Sequence, residues 1–204
     1  MGVAIEQERL WALQAQRGDQ DAFARIVEAY QRPVYNLAYR MLGSAQEAED
    51  ASQEAFMRVY TRLETYDPGR KFSSWVLSVA SHHCIDRLRK RRGMTVSMED
   101  IQAERWLSDG EPEPEENALD AERENHVRRL LDTLPDQYRL VIVLRYWHDM
   151  SYDEIAEITT TTQSAVKSRL HRARKAMAEA LSQDPAAAPL AHPMPRRSQD
   201  NVLP

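Results

Sequence analysis

Ser151-Tyr152-Asp153-Glu154-Ile155-Ala156-Glu157-Ile158, then four threonines, then Gln163 through Met177, is the most specific pattern in the chain. Ser151 with Glu154 three residues later is a capping box, so a short helix opens there. Ile155, Ala156 and Ile158 supply its buried side. The threonines extend a helix poorly because β-branched side chains lose rotamer freedom in it, and Thr162 is placed to cap the next one. In that next helix Val166, Leu170, Ala173 and Met177 share one face, while Gln163, Ser164, Lys167, Ser168, His171 and Arg172 share the other. A short helix, a tight turn and a basic helix with a polar outer face describe a helix-turn-helix. Such a helix fits the DNA major groove, where Gln163, Ser164 and Lys167 reach base edges. Arg169, Arg172, Arg174 and Lys175 are placed to pair with phosphates, which sets register without reading sequence. An amphipathic helix with a solvated basic face is the plainer alternative.

Working outward, residues 118–182 form the helical block that holds this motif, and residues 183–204, rich in Pro and Ala, are expected to be a disordered tail. Upstream, residues 93–117 include Asp109-Gly110-Glu111-Pro112-Glu113-Pro114-Glu115-Glu116, an acidic, proline-broken stretch that reads as a flexible linker. Residues 21–92 read as a first helical block, preceded by an N-terminal extension, residues 1–20. Phe23, Ile26, Val27, Tyr30, Leu37, Ala38, Met41 and Leu42 recur at helical spacing until Gly43 stops the helix. Ser44 and Glu47 form a second capping box, and Ala48, Ala51, Ala55, Phe56, Val59 and Leu63 face the core of the helix it opens. Asp50, Gln53, Glu54 and Arg58 are left outside. Tyr66-Asp67-Pro68-Gly69 is a turn, and a third helix over 73–92 carries Trp75, Val76, Val79, Ile85 and Leu88 as its apolar set. That helix ends in Arg87, Arg89, Lys90, Arg91 and Arg92. The helix dipole favours cations there in any case. The nearby rings of Tyr60, Tyr66, Phe72 and Trp75 also suit single-stranded DNA, whose unstacked bases need a surface, although they serve equally well as core.

The predicted fold class is therefore all-α, two small helical domains joined by an acidic linker, the second containing the helix-turn-helix. The 204 residues suffice for two small domains. A net charge of −5 argues mildly against a nucleic-acid partner, but the signs are segregated into basic helices and an acidic linker. A single cysteine, Cys84, excludes an internal disulfide and a Cys-rich metal site. No secretory signal or spanning apolar run is visible, so a soluble, cytoplasmic protein with no membrane insertion is expected.

Taken together, the blocks resemble one family. Ala48-Glu49-Asp50-Ala51-Ser52-Gln53-Glu54-Ala55-Phe56 is similar to the polymerase-binding helix of bacterial RNA polymerase sigma factors. Phe72-Ser73-Ser74-Trp75-Val76-Leu77 and Ile85-Asp86-Arg87-Leu88-Arg89 resemble the segment that opens and reads the −10 element. Leu134-Pro135, Arg139, Leu144-Arg145-Tyr146 and residues 151–156 resemble the lead-in to the −35-binding helix, and residues 166–174 resemble that helix itself. The two-domain layout is that of the extracytoplasmic-function group.

The resemblance implies a non-enzyme that directs core RNA polymerase to promoter DNA and helps melt the −10 element. It implies no cofactor, no metal and no small-molecule substrate. Asp50, Gln53 and Glu54 would dock on the clamp coiled coil of the polymerase β′ subunit, with the β flap as a further contact. Tyr66, Arg70, Lys71 and Phe72 would hold a flipped −10 base, and His82, Arg87, Lys90 and Arg91 would line the melted strand. Gln163, Ser164, Lys167, Ser168, Arg169, His171, Arg172 and Lys175 would meet the −35 element. Stress-responsive control by an anti-sigma factor is also implied. The chain departs from the family in having His82 where Asn is common, Ser78 where Arg is frequent, and Thr160 in place of a turn glycine. The Thr160 change strains the backbone if that position needs positive φ.

Three other readings compete. A helix-turn-helix repressor leaves the first block unemployed. An adaptor leaves both basic helices without a role. A metal or nucleophile cluster at His82, His83, Cys84 and Asp86 is opposed by helix geometry, which points adjacent residues about 100° apart.

Overall fold

The computed structural model describes residues 2–96 and 115–183, with side chains over 6–93 and 124–183. All regular structure among the described residues is helical: α1 (Gly2–Gln16), α2 (Gln20–Leu42), α3 (Ala45–Arg62), a 3-10 turn (Leu63–Thr65), α4 (Phe72–Val96), α5 (Glu115–Asp132), α6 (Asp136–Tyr146), α7 (Tyr152–Ile158) and α8 (Gln163–Gln183).

The ends of α2 follow local chemistry. Asp19 caps its start by accepting the Ala22 amide at 3.0 Å. Gly43 ends it at φ +80, a conformation glycine adopts without strain, while its N–H donates to the Tyr39 carbonyl. Ser44 then accepts the Glu47 amide at 3.4 Å and starts α3, but only this half of the expected capping box forms, since the Glu47 carboxylate turns toward Arg91. Along α2, Ile26, Val34, Leu37 and Met41 are sealed from solvent and pack on α3 and α4. Ala48, Ala51 and Ala55 give α3 a small-residue face that lets it lie close. Each fully buried aliphatic chain contributes about 1.5–3 kcal/mol of transfer free energy.

The stretch 1–20, expected to be a mere extension, contributes a helix to this bundle. Ala12 and Ala15 of α1 are buried, Trp11 packs alongside them, and α1 lies against α2, α4 and the 3-10 turn. Two boundaries also move. α4 continues to Val96 and α5 begins at Glu115, so both ends of the expected linker are helical; the rest of that linker and the tail after Gln183 lie outside the described residues.

Leu140, Val141, Ile142, Val143 and Leu144 are five consecutive buried residues, so α6 is covered on every side. It packs on α7 and α8 and also on α2 and α4, which docks the second helical unit onto the first. Arg139 cements that contact. Its guanidinium, 7% exposed, donates to the Met41 carbonyl at 2.7 Å and pairs with Asp132 at 3.0 Å. Nearby, the Arg40 guanidinium lies over the Trp147 ring at 4.5 Å, a cation–π contact, and Arg128 donates to the Tyr39 hydroxyl.

Candidate nucleic-acid interface

The helix-turn-helix forms as its caps dictate. Ser151 accepts the Glu154 amide and the Glu154 carboxylate accepts the Ser151 amide, which completes the capping box of α7. Thr162 accepts the Ala165 amide at the start of α8. Ile155, Ile158, Val166, Leu170 and Ala173 close the core between the two helices.

Thr160 sits at φ +50, the left-handed region that β-branched residues occupy only with strain. Thr160→Gly is expected to raise stability by about 1 kcal/mol, because relieved strain exceeds the added chain entropy. In thermal unfolding this reads as a melting temperature about 3 °C higher, and a lower one would contradict the strain.

On α8, Gln163, Ser164, Lys167, Ser168, His171, Arg172 and Lys175 are all exposed, and Arg169 is half-buried. Several are already held in place. The Gln163 amide donates to Asp153 at 3.1 Å and the Lys167 ammonium lies 5.7 Å from the Tyr152 ring centroid. Arg172 reaches the Tyr138 hydroxyl at 3.5 Å, and Lys175 pairs with Glu179. The α8 face is thus an open row of donors on a helix whose other side is anchored.

The first unit is more mixed. Tyr66 and Phe72, expected to offer faces to an unstacked base, are 3% and 2% exposed. Their rings meet edge to face at 4.9 Å and pack with Tyr30 and Trp75, so they form the floor beneath the loop over 66–71 and not its surface. Arg70 and Lys71 are exposed on that loop, but each has a partner in the second unit. Arg70 pairs with Glu157 at 2.5 Å and Lys71 with the capping-box residue Glu154 at 2.8 Å. Arg92 pairs likewise with Asp136.

Along α4, His82 is exposed and its Nδ1 lies 2.7 Å from the Ser78 carbonyl. A carbonyl only accepts, so Nδ1 carries the proton. Lys90 is exposed, Arg87 approaches Asp50 at 3.9 Å, and Arg91 approaches Glu47 at 3.7 Å. His83, by contrast, is buried with its pKa lowered by desolvation, so the adjacent histidines do lie on different sides of the helix. Burial pushes the Cys84 thiol up to about 12, too high for a nucleophile at neutral pH.

Asp50, Gln53 and Glu54 are exposed together on α3. The Arg58 side chain, bonded to Glu54 at 3.0 Å, holds that carboxyl below its usual range. Met57 and Tyr60, 62% and 52% exposed, extend the same helix surface with apolar area. Met57 was not singled out from sequence, although it lies three residues past Glu54 and falls opposite the alanine face; Tyr60 was read only as a ring near the turn before α4. The acids Asp136, Glu154 and Glu157 were missed as partners of the first unit, since they pair across 44 to 87 residues.

The Sigma-70 region 2 model matches residues 26–93, and the Sigma-70, region 4 model matches residues 125–177. The chain is 40% identical over 181 residues to the ECF RNA polymerase sigma factor SigW of Bacillus subtilis (strain 168), covering 82% of this chain and 93% of that one. Its fold is shared with CnrH, solved in complex with the cytosolic domain of CnrY, at a TM-score of 0.66 and 24% identity over 87% of this chain and 99% of that one. It is also shared with the sigma factor RpoE, solved with the anti-sigma factor NepR from Bartonella quintana, at a TM-score of 0.60 and 20% identity over 79% of this chain and 98% of that one. The acidic face of α3 and the loop before α4 thus fall within the region 2 match and the basic face of α8 within the region 4 match, and the chain belongs to the sigma-70 family of RNA polymerase sigma factors, in its extracytoplasmic-function group.

Proposed function

We propose that this sigma factor docks on core RNA polymerase through Asp50, Gln53 and Glu54 and lays α8 in the major groove of the −35 element. The loop over 66–71 and the exposed edge of α4 then take the melted −10 strand. The observation that carries this reading is the exposure of Gln163, Ser164, Lys167, Ser168, His171, Arg172 and Lys175 along one face of α8 above a closed core. Helix α8 is long enough to span the groove, and its N-terminal residues reach base edges while later arginines reach phosphates. On the loop, Arg70 and Lys71 supply the cations for a strand backbone, and Tyr66 and Phe72 support it from below. No nucleophile or metal enters this reading, because strand opening draws on binding energy at both elements and on the polymerase.

Among the described residues no helix is long and apolar enough to cross a membrane, which fits work beside the chromosome in the cytoplasm. Control by an anti-sigma factor in response to stress belongs to the same reading. It is supported by the likeness to folds solved with CnrY and with NepR.

Run-off transcription with purified core polymerase and a promoter library tests the whole. Transcripts that share a two-element motif and depend on this protein are expected. Tight, sequence-specific duplex binding by the protein alone, with no transcripts, would indicate a repressor instead.

The cross-unit ion pairs add a quantitative expectation. Phosphates must displace Glu157 and Glu154 from Arg70 and Lys71 before the loop holds a strand. Glu157→Lys is therefore expected to tighten binding of the free protein to a single-stranded 12-mer roughly three- to fivefold at low salt, an effect that fades as salt screens it. Glu179→Lys changes net charge equally without touching the loop. Equal gains from the two variants would show general electrostatics and not local competition.

A further inference from the structure

The loop over 66–71 is held in place from outside both matched family regions. At the last position of α1, the Gln16 side-chain amide donates to the Leu63 carbonyl at 2.8 Å and to the Tyr66 carbonyl at 3.2 Å. These are the carbonyls at either end of the 3-10 turn that launches the loop. From Tyr66 the connection continues, since its hydroxyl donates to the Arg70 carbonyl at 2.7 Å. Two internal bonds tighten the loop: the Arg70 amide donates to the Asp67 carbonyl, and the Gly69 amide donates to the Asp67 carboxylate. The Tyr66 ring is wedged between Phe72 and Trp75, so it transmits a shift of its own backbone to Arg70.

We infer that Gln16 is a positioning residue for −10 recognition, which sets where Arg70 and Lys71 leave the loop by fixing Tyr66. The chemistry selects an amide. Two carbonyls face the side chain, both accept only, and a single NH2 group supplies two protons. Glutamate would set an acceptor against two acceptors, and methionine would fill the space with no donor. Ala12 and Ala15, buried against the bundle, hold α1 in register so that Gln16 arrives at the turn. The family match begins at residue 26, so this clamp is a property of the segment before it.

The inference rests on the reading that this loop meets the −10 strand, and one experiment separates the two. Holoenzyme is assembled from core polymerase and full-length chain, wild type, Gln16→Met or Gln16→Glu. It is presented with a promoter library randomised over both elements, and the transcripts are sequenced at 25 °C. Gln16→Met keeps side-chain volume, so a mere packing role predicts wild-type output. The expected result is transcript yield down about five- to tenfold in both variants, the scale of two lost hydrogen bonds. The −10 motif should blur at its upstream positions while the −35 motif stays intact. A wild-type chain that yields no −10 motif would remove the underlying reading. A wild-type motif matched in sharpness and yield by both variants would overturn the clamp, as would equal blurring of both motifs, the signature of general unfolding.

Discussion

Arg139→Ala is expected to lower unfolding stability by about 2–4 kcal/mol and to part the two helical units. The guanidinium is buried, and its desolvation already lowers its pKa, so its place depends on two partners. Removing it leaves the Met41 carbonyl, at the end of α2, without its donor and opens space beneath α6. Asp132 is half-exposed and can turn to water, which keeps the loss below that of a fully buried ion pair. Arg139→Lys should fall between, because one ammonium serves both acceptors poorly. Urea unfolding gives the energy and solution scattering gives the separation. A loss below about 1 kcal/mol with unchanged dimensions would show that the apolar surface of α6 docks the units without help.

The second large effect lies on α8. Replacing Gln163 and Lys167 together with alanine removes two exposed side chains proposed to read base edges, without touching the buried face. A well-made side-chain pairing to a base is worth about 1–3 kcal/mol of discrimination, so the pair together should cost about 100-fold in transcription from a promoter with its preferred −35 element. Competition with wild type for core polymerase should be unchanged, because the proposed docking residues Asp50, Gln53 and Glu54 sit on the other unit. A drop of less than about threefold would move sequence reading off these positions.

Much of this architecture could be read from residues in short range of one another. Ser151 with Glu154, Ser44 before α3, and Gly43 after α2 act within one turn of their own helix, and local chemistry decides them. Thr160 was legible only through the family resemblance, which places a glycine at that turn position, and its φ of +50 agrees with that. Helix α1 was not, because its fully buried contacts are Ala12 and Ala15, with Trp11 only partly covered beside them, and small residues leave little apolar signal in a sequence. Tyr66 and Phe72 show a different limit. Periodicity marks a ring as apolar and near a turn, but does not say whether it lies on the loop or under it. The ion pairs of Arg70, Lys71 and Arg92 were out of reach, since their partners are on another unit and no spacing rule connects them. They decide which of the candidate DNA cations face solvent unopposed.

The unequal exposure of the two DNA faces has a temporal consequence. On the proposed reading, α8 meets a duplex by giving up only partners within its own unit, Asp153 for Gln163 and Glu179 for Lys175, whereas Arg70 and Lys71 must part from Glu157 and Glu154 of the other unit. The proposed function thus carries an order of operations: one unit takes intact duplex through exchanges internal to itself, and the other takes an unpaired strand only after α7 has let go of the loop. Glu154 makes that handover reversible, because its bond to the Ser151 amide keeps the carboxylate in position when Lys71 leaves, ready to take the lysine back once the strand has gone.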